Sequence, residues 1–431
     1  MFDVTTTSPT HWKYISEGGA SIVFSYVGPS NQAFNHTALR LRKAPLETLN
    51  ESLSEEQQLE DPDDPSIAFQ HQVIERLLPE EFLPRLEGVH VNRAWLEGLA
   101  RIADEHRPPE RKARDAVDTR KKKATLATDL VGGKGLAVEI KPKWGFLPSA
   151  THLSSETAPV KTTTCRFCMH SHLKATRGAE VSEGYCPLDL FSGDADRIRK
   201  ALTALWDSWV STGGSSNNLR VFVEGQMLRP SATPSSIQPL ADQLHLSAEE
   251  NFTLYTVRDA FISRTLPMLL QTSVLRILAV HQSNLDALDI EGLVHLWARA
   301  YASRTPGAAL TTGQPEGDDA PPAPPLGASM PQPTLDEWSA FLDVYINKHT
   351  QMDHDHPDIA NLRYYCLAYL LSATFKDCSL IIQAPDQGLG AVTIIDLDVK
   401  PIDRLDKWGK LDREIVEAYR QAGRPTQCVA N

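Results

Sequence analysis

Residues 394–408 read IIDLDVKPIDRLDKW, an apolar run that leads into alternating acidic and basic residues. The apolar part predicts a strand that carries Asp396 and Asp398 at its end, on one face by strand alternation. An aspartate in such a place is a suitable ligand for Mg²⁺. Lys400 and Arg404 follow and would share a face if a helix begins there. The stretch favours a metal ligand beside a basic surface, although a turn with scattered charges has the same composition.

The composition is that of a globular protein with an acidic surface. The 431 residues are 41% hydrophobic and 23% charged, and 43 basic against 55 acidic residues give a net charge of −12. This sign disfavours general nucleic-acid binding. The sequence has no apolar run long enough for a membrane span and no secretory signal, and its six cysteines do not form a disulfide framework. We expect no nucleic-acid or membrane partner, a monomer, and a location in the nucleus, the cytoplasm or both.

The order of the elements decides the fold class. Residues 12–43 predict three strands with Gly18 and Gly19 in the first turn, and the second half of the chain is mostly helical. Residues 379–401 predict a late β-hairpin that ends in acidic residues. This order predicts an α+β, two-lobed kinase-like fold, with a β-rich N-lobe and a larger helical C-lobe whose hairpin carries the metal-binding aspartate.

The predicted boundaries follow the same pattern. We place the N-lobe at residues 1–128, a hinge at 129–133 and the C-lobe at 134–431. Residues 44–66 are acidic and polar and predict a mobile insertion, and residues 305–333 are rich in Pro, Gly and Ala and predict a disordered insertion.

Further motifs carry groups suited to an anionic ligand. In EIKPKWGF, residues 139–146, Lys141 and Lys143 would point to one face of a strand, and Pro142 indicates an edge or a strand end. The glycine pair of EGGAS, residues 17–21, would let backbone N–H groups approach phosphate, although ordinary hairpins also contain such pairs. In NNLRVF, residues 217–222, two amides precede a strand and could orient phosphate or hold a metal ion.

The stretch CRFCMHSHLK, residues 165–174, suggests two uses. Its two cysteines and two histidines could bind zinc, but all four lie within eight residues, which is too dense for one tetrahedral site. Alternatively, His170 and Lys174 share one face of a helix and bind phosphate. We therefore predict no zinc.

Taken together, these motifs resemble those of the inositol-pentakisphosphate 2-kinase family. The residues that carry the resemblance run in order from Glu17 to Pro401: EGGAS, LRLRK, EIKPKWGFLP, RFCMHSHLK, YCPLDLFSG, NNLRVF, KDCS and IDLDVKP. Some members of the family hold a structural zinc in the helical lobe, but residues 330–350 contain no suitable cysteine cluster, which agrees with the expectation of no zinc.

The resemblance implies roles for individual residues of this chain. ATP would be bound by Gly19, Ala20, Ser21, Arg40, Asp129, Glu139 and Arg220. The inositol phosphates would be bound by Arg107, Lys143, His170, Lys174, Asn217, Lys400, Arg404 and Trp408, with Arg111 as the alternative to Arg107. Mg²⁺ would be held by Asp396 and Asn218. Lys141 would bridge the transferred phosphate and the inositol, and Asp377 would accept the proton of the attacking hydroxyl.

The implied activity is ATP-dependent phosphorylation of the 2-hydroxyl of inositol 1,3,4,5,6-pentakisphosphate, which gives inositol hexakisphosphate. Two alternatives remain at this point: a catalytically silent protein that binds inositol polyphosphates, and a kinase for another inositol polyphosphate. Both Asp377 and Asp396 are present, which favours the enzyme.

Overall fold

The computed structural model describes residues 1–49, 61–246, 252–304, 323–385, 390–423 and 427–430. The chain divides into two compact units, each assembled from three separate segments. The first unit comprises Met1–Ile140, Trp209–Met268 and Ser379–Ile395, and the second comprises Lys141–Ser208, Leu269–Cys378 and Asp396–Asn431. The lobes predicted from the sequence are continuous stretches, whereas each unit combines three segments. The division into units therefore does not test the predicted boundaries at residues 128, 133 and 134, which stay a prediction.

The first unit contains two antiparallel sheets. One sheet has the order β1-β2-β3-β6-β4, with β5 paired to β3, and the other has the order β11-β10-β7-β8-β9. The strands are β1 Trp12–Glu17, β2 Ser21–Tyr26, β3 Thr37–Pro45, β4 Leu86–His90, β5 Asp115–Val117, β6 Lys123–Thr128, β7 Leu136–Ile140, β8 Leu219–Val223, β9 Gln226–Met227, β10 Ser379–Ala384 and β11 Ala391–Ile395.

The strands form where apolar residues alternate or run together. In β2, Ile22 and Phe24 are fully buried and belong to the core of the first sheet. All five residues of β7 are buried, because this strand lies between β10 and β8 and both of its faces are covered. A second apolar cluster joins Ile15 of β1 to Ala137 of β7, so the two sheets share a core within this unit.

The register of the second sheet fixes where several loops leave it. Ile140 of β7 lies opposite Leu380 of β10 and Leu219 of β8, and Leu380 also lies opposite Ile394 of β11. Because neighbouring strands are antiparallel, the ends of β7 and β11 meet the starts of β8 and β10 at one edge. The predicted hairpin of residues 379–401 is therefore present as β10 and β11.

Helices make up most of the rest of the described chain. They are Leu46–Leu49, Pro65–Gln72, Arg93–His106, Pro109–Lys112, Ala158–Lys161, Arg166–Thr176, Pro187–Leu190, Ala195–Ser211, Gln238–Gln243, Leu254–Gln271, Val274–Leu285, Asp289–Arg304, Leu335–Lys348, Leu362–Asp377 and Arg404–Gln421. The α+β class predicted from the sequence is confirmed. None of the helices in the described residues combines the length and apolarity that a membrane span requires.

Parts of both predicted insertions lie outside the described residues. Of the stretch 305–333, residues 323–333 are described, and here Leu326 is 5% exposed while the Pro324 carbonyl accepts a hydrogen bond from Trp297. This part belongs to the second unit and packs within it, because its apolar and carbonyl groups find partners there. Of the stretch 44–66, Asp64 pairs with Arg42. Residues 50–60 and 305–322 are not among the described ones.

A buried glutamine fixes the loop that follows β7. The Gln282 side chain is fully buried, accepts a hydrogen bond from the Gly145 N–H at 2.7 Å, and donates to the carbonyls of Lys143 and Phe375 at 2.9 Å. Its amide therefore ties the loop to the helix Leu362–Asp377. A Cβ at Gly145 would lie 2.6 Å from the Phe191 ring, so the loop also depends on glycine at this position.

Replacement of Gln282 by Ala should destabilise the protein and release this loop. The change leaves a buried N–H and two buried carbonyls without partners, which costs about 2–4 kcal/mol in the free energy of unfolding. The control is Gln421→Ala, since Gln421 is an exposed residue whose amide donates to Glu417 in the same helix. Denaturant unfolding of both variants measures the difference, and equal stabilities would contradict the role given to Gln282.

Candidate active site

Two lysines share one carboxylate in the second unit. Lys143 Nζ lies 3.3 Å from one carboxylate oxygen of Asp377, and Lys400 Nζ lies 3.0 Å from the other. Asp377 is the last residue of the helix Leu362–Asp377, and its side chain is 58% exposed. Burial acts to raise the pKa of Asp377, but the two lysines outweigh it and hold this pKa below its usual range. Asp377 is therefore ionised at neutral pH.

A second ion pair follows the ends of two strands. β7 ends immediately before Lys141 and β11 ends immediately before Asp396, and Lys141 Nζ lies 3.5 Å from Asp396 Oδ2. The second unit thus brings together five of the residues predicted from the sequence: Lys141, Lys143, Asp377, Asp396 and Lys400. We call these five residues the lysine–aspartate cluster.

The strand alternation expected for these residues is wrong. Neither Lys141 and Lys143 nor Asp396 and Asp398 lie in a strand, because β7 ends at Ile140 and β11 at Ile395. Lys143 and Asp396 have positive φ angles of 66° and 62°, which are incompatible with an extended strand. Pro142 has no N–H for a sheet ladder, as the sequence indicated.

Left-handed backbone at Lys143 and Asp396 is stabilised by the surrounding structure. A non-glycine residue in this conformation costs about 1–3 kcal/mol and is found mainly where function requires a special direction. Gln282 holds the carbonyl of Lys143, and Thr374 donates to the carbonyl of Asp398 at 3.0 Å. These contacts fix both turns and so aim the two side chains.

The helix Arg166–Thr176 adds His170 and Lys174, which lie one turn apart as predicted. Burial, together with the cations of Lys174, Arg166 and Lys143, lowers the pKa of His170 to about 4. His170 is thus neutral at pH 7 in a strongly cationic environment. Burial also lowers the pKa of Lys143.

Arg404 and Trp408 lie in the first two turns of the helix Arg404–Gln421. Arg404 is exposed at the first helical position, and Lys400 precedes the helix, so the two residues do not share a helical face. The Trp408 ring lies 6.0 Å from the Tyr369 ring between centroids. Trp408 therefore lies against the helix that ends in Asp377.

Buried ion pairs fasten the helices of the second unit. Lys161 contacts Asp412 at 2.8 Å, and Asp412 also accepts from Arg166 at 2.9 Å. The Arg166 guanidinium lies 5.2 Å from the centroid of the Trp144 ring, next to Lys143 in sequence. Through these contacts the helix that carries His170 is tied both to the C-terminal helix and to the loop of Lys143.

In the first unit, the predicted glycine turn joins β1 to β2. The Gly18 N–H donates to the Ser21 carbonyl at 2.9 Å, and Gly19 and Ala20 are exposed. An added Cβ at Gly19 would meet nothing within 4 Å, so open space lies beside this turn. Arg111 donates to the Gly18 carbonyl at 2.7 Å. Arg40 lies half-buried on β3, and no ion pair joins it to the described residues.

Arg107 lies in a buried charge cluster of the first unit. Its guanidinium is 1% exposed and contacts Glu17 at 3.0 Å and Asp115 at 2.7 Å. Lys43, at 2% exposure, contacts the same two carboxylates at 2.9 and 3.0 Å. The N–H donors of Arg107 are thus already occupied by protein carboxylates, whereas Arg111 is on the surface.

Three of the residues predicted to bind ATP are locally engaged. Asp129 accepts hydrogen bonds from the N–H groups of Val131 and Gly132 and so shapes the turn after β6. Glu139 is buried on β7 and accepts from Arg220 at 3.1 Å and from Ser379 at 2.9 Å. These contacts orient Glu139 and the Arg220 side chain.

Asn217 and Asn218 precede β8, as NNLRVF predicted. Asn217 is exposed, whereas Asn218 is 9% exposed and its side-chain nitrogen is buried without a hydrogen-bond partner among the described residues. A buried amide with an unmatched polar atom fits a position where a ligand supplies the missing partner. Asn218 belongs to the first unit and Asp396 to the second.

Sequence reasoning missed the residues that orient the cluster. Gln282 has no motif around it. Tyr185 begins the stretch YCPLDLFSG, and its hydroxyl donates to the Pro142 carbonyl at 3.1 Å. Nothing in the local sequence of either residue signals these contacts, because the partners lie 137 and 43 positions away.

Comparison with known proteins shows which family the chain resembles. The sequence model of the family described as inositol-pentakisphosphate 2-kinase matches residues 14–414. An inositol-pentakisphosphate 2-kinase of Cryptococcus neoformans var. neoformans serotype D is 33% identical over 95% of this chain and 93% of its own length. Proteins of the same name from Oryza sativa subsp. indica and Arabidopsis thaliana are 27% and 26% identical, over 96% and 95% of this chain and 94% and 93% of their own lengths.

The α+β architecture and the lysine–aspartate cluster thus occur in an enzyme of the kinase class. The chain belongs to the inositol-pentakisphosphate 2-kinase family, since the match spans nearly all of it.

Arg107→Ala should lower the free energy of unfolding by about 2–4 kcal/mol, because it removes a buried cation from Glu17, which keeps Lys43, and from Asp115, which keeps Lys43 and Arg114. The matched control is Arg111→Ala, a surface change that should alter stability by no more than about 0.5 kcal/mol. Denaturant unfolding distinguishes the two arginines. A loss of inositol phosphate affinity in the Arg107 variant at unchanged stability would instead assign Arg107 to the ligand.

His170 should take up a proton when a polyanion binds. In the free protein its pKa is about 4, so the ring is neutral at pH 7. Phosphate groups nearby favour the charged form and raise this pKa, so affinity should increase as pH falls toward the raised value. NMR titration of the ring with and without inositol hexakisphosphate measures the shift. His170→Gln is the control for the affinity series, and an unchanged pKa would contradict the contact.

Proposed function

We propose that the protein transfers the γ-phosphoryl group of ATP to the 2-hydroxyl of inositol 1,3,4,5,6-pentakisphosphate and releases inositol hexakisphosphate. The observation that supports this most directly is the Asp377 carboxylate held between Lys143 and Lys400, at 3.3 and 3.0 Å, in a member of this family. An ionised carboxylate that could accept a proton is thus held between cations that a polyanionic substrate needs.

The substrate's charge explains the basic residues. Each phosphate carries roughly −1.5 to −2 near neutral pH, so five of them repel the γ-phosphate of ATP strongly. Lys143, His170, Lys174, Lys400 and Arg404 would reduce that repulsion and fix the ring, with Trp408, Asn217 and either Arg107 or Arg111 completing the set. The burial of Arg107 by Glu17 and Asp115 favours Arg111.

Asp377 would act as the general base. In the free protein its lysine partners hold its pKa down, which makes it a weak base. When substrate phosphates take Lys143 and Lys400, the carboxylate loses these partners and its pKa rises. The base would thus become stronger only with substrate bound, and it would accept the proton of the 2-hydroxyl as the phosphoryl group transfers.

Lys141 would stabilise the transferring phosphoryl group. Its present partner, the Asp396 carboxylate, is 43% exposed and is a hard oxygen donor of the kind Mg²⁺ prefers. Asn218 would supply the second ligand through its side-chain oxygen, while its unmatched side-chain nitrogen is a hydrogen-bond donor suited to a phosphate oxygen. When bound, Mg²⁺ would neutralise charge on the ATP phosphates.

The nucleotide would be bound by residues of the first unit. The open turn of Gly19, Ala20 and Ser21 would cover the phosphates, and Arg40 would contact them. Glu139, Arg220 and the hinge residue Asp129 would complete this binding. ATP as co-substrate follows from the kinase class of the family.

Several broader predictions from the sequence belong to the same proposal. They are a kinase-like two-lobed arrangement, a hairpin that carries the metal-binding Asp396, a monomer without nucleic-acid or membrane partners, and a nuclear or cytoplasmic location. A binding protein without transfer would use the same lysines, so the test has to measure transfer as well as binding.

The test is transfer of labelled γ-phosphate from Mg-ATP to inositol 1,3,4,5,6-pentakisphosphate by the wild type, Asp377→Asn and Asp396→Asn. Both variants are nearly isosteric and should lose about 100-fold or more in kcat, since one lacks the base and the other a metal ligand. Both should still bind inositol hexakisphosphate in calorimetry.

Asp403→Asn is the matched control. Asp403 is an exposed aspartate that immediately precedes the helix Arg404–Gln421, and its side chain makes no capping hydrogen bond. Its kcat should equal that of the wild type. Tight inositol binding without transfer in all the proteins would leave the silent binding protein as the correct assignment.

A further inference from the structure

A buried lysine precedes the candidate base in the sequence. Lys376 and Asp377 end the helix Leu362–Asp377, but the Lys376 side chain is 3% exposed whereas that of Asp377 is 58% exposed. An ammonium group is almost never fully buried unless a partner accompanies it. Lys376 is not one of the residues of the lysine–aspartate cluster, so its burial serves a purpose other than direct contact with a ligand.

Lys376 is enclosed by one carboxylate and two aromatic rings. Its Nζ contacts Asp286 at 2.5 Å, and the Asp286 side chain is 7% exposed. The same Nζ lies 5.2 Å from the centroid of the Phe146 ring and 4.9 Å from that of the Tyr369 ring, distances at which ring faces attract cations. The ammonium group thus joins the C-cap of the helix Val274–Leu285, the loop after β7 and its own helix.

Stability alone does not explain such a pair. The desolvation of two buried charges offsets most of their attraction, and replacement of a buried ion pair by well-packed apolar side chains is often neutral or stabilising. The pair supplies direction instead. An apolar side chain can shift within an apolar pocket, whereas an ammonium group that must meet one carboxylate has one favourable position.

The two residues before Lys376 are tied to other elements as well. The Phe375 carbonyl accepts a hydrogen bond from Gln282 at 2.9 Å, and the Thr374 hydroxyl donates to the Asp398 carbonyl at 3.0 Å. The ends of helices fray unless such contacts hold them. Residues 374, 375 and 376 are therefore each fixed by a different partner, immediately before Asp377.

We propose that Lys376 is a positioning residue that sets the direction of the Asp377 carboxylate. Its contact with Asp286 fixes the rotation of the last helical turn, and its contact with Phe146 fixes this turn against the loop after β7. The Asp377 carboxylate therefore stays between its two lysine partners, at 3.3 and 3.0 Å. The effect on catalysis rests on the proposed kinase function, whereas the effect on Asp377 in the free protein does not.

The first test follows the Asp377 carboxyl group by carbon NMR in the protein without ligand, with Asp377→Asn to assign its signal. In the wild type the lysine partners hold the pKa of Asp377 below the usual value of about 3.9. Lys376→Met keeps a long side chain but removes the charge, and the pKa of Asp377 should rise toward the usual value as the carboxylate moves away from both lysines. Asp286→Asn removes the counterion without a change of shape and should produce the same rise.

Lys348→Met is the matched control, since Lys348 is the exposed last residue of the helix Leu335–Lys348. It should leave the pKa of Asp377 at the wild-type value. The inference is overturned if Lys376→Met and Asp286→Asn lower only the midpoint of denaturant unfolding and leave the pKa of Asp377 unchanged, because Lys376 would then have a purely structural role.

The second test is steady-state transfer from Mg-ATP to inositol 1,3,4,5,6-pentakisphosphate. Lys376→Met should lower kcat by about 10-fold or more, since small misplacements of a reacting group are costly, and should change the KM for the inositol by less than about twofold. Lys376→Arg keeps the charge and should recover most of kcat. An equal kcat in the wild type and Lys376→Met would contradict the positioning role. If the wild type transfers no phosphoryl group, the proposed function fails, and the NMR measurement still decides whether Lys376 positions Asp377.

Discussion

The carboxylate of Asp377 between two lysines is the constraint on which the candidate active site depends. Two like unit charges 4 Å apart repel by about 4 kcal/mol near a protein surface, so Lys143 and Lys400 cannot face one space without a counterion. Asp377 supplies that counterion at 3.3 and 3.0 Å in the free protein. A polyanionic substrate would replace it, so one carboxylate both neutralises the two lysines in the free protein and becomes available when the ligand arrives.

The rest of the second unit holds this arrangement in place through groups that never reach the ligand. Gln282 fixes the left-handed turn at Lys143, and the ion pairs of Lys161 and Asp412 fix the helix that carries His170. Buried polar groups of this kind are costly unless every partner is present. When all their partners are present, these buried groups hold the loop in one conformation. A set of closely spaced cations needs such a fixed loop.

Sequence patterns predicted the elements whose formation depends on neighbouring residues. The strands around the glycine turn, the hairpin of β10 and β11 and the helix that carries His170 and Lys174 follow from alternation, turn residues and helical spacing. The burial of Arg107 could not be predicted this way, because Glu17 lies 90 residues away and Asp115 eight. The positive φ of Asp396 could not be predicted from the sequence either, since the apolar run before it indicates a strand that extends through this residue.

The division of the chain has a consequence for synthesis on the ribosome. The first unit needs Ser379–Ile395 for two strands of its second sheet, and β10 pairs directly with the central β7. The second unit needs the helix Arg404–Gln421, which packs on the helix Arg166–Thr176. A nascent chain can therefore complete neither unit until almost all of it has been translated. Partial chains would expose the uncovered edge of β7 and the apolar face of the helix, both of which are surfaces that chaperones bind.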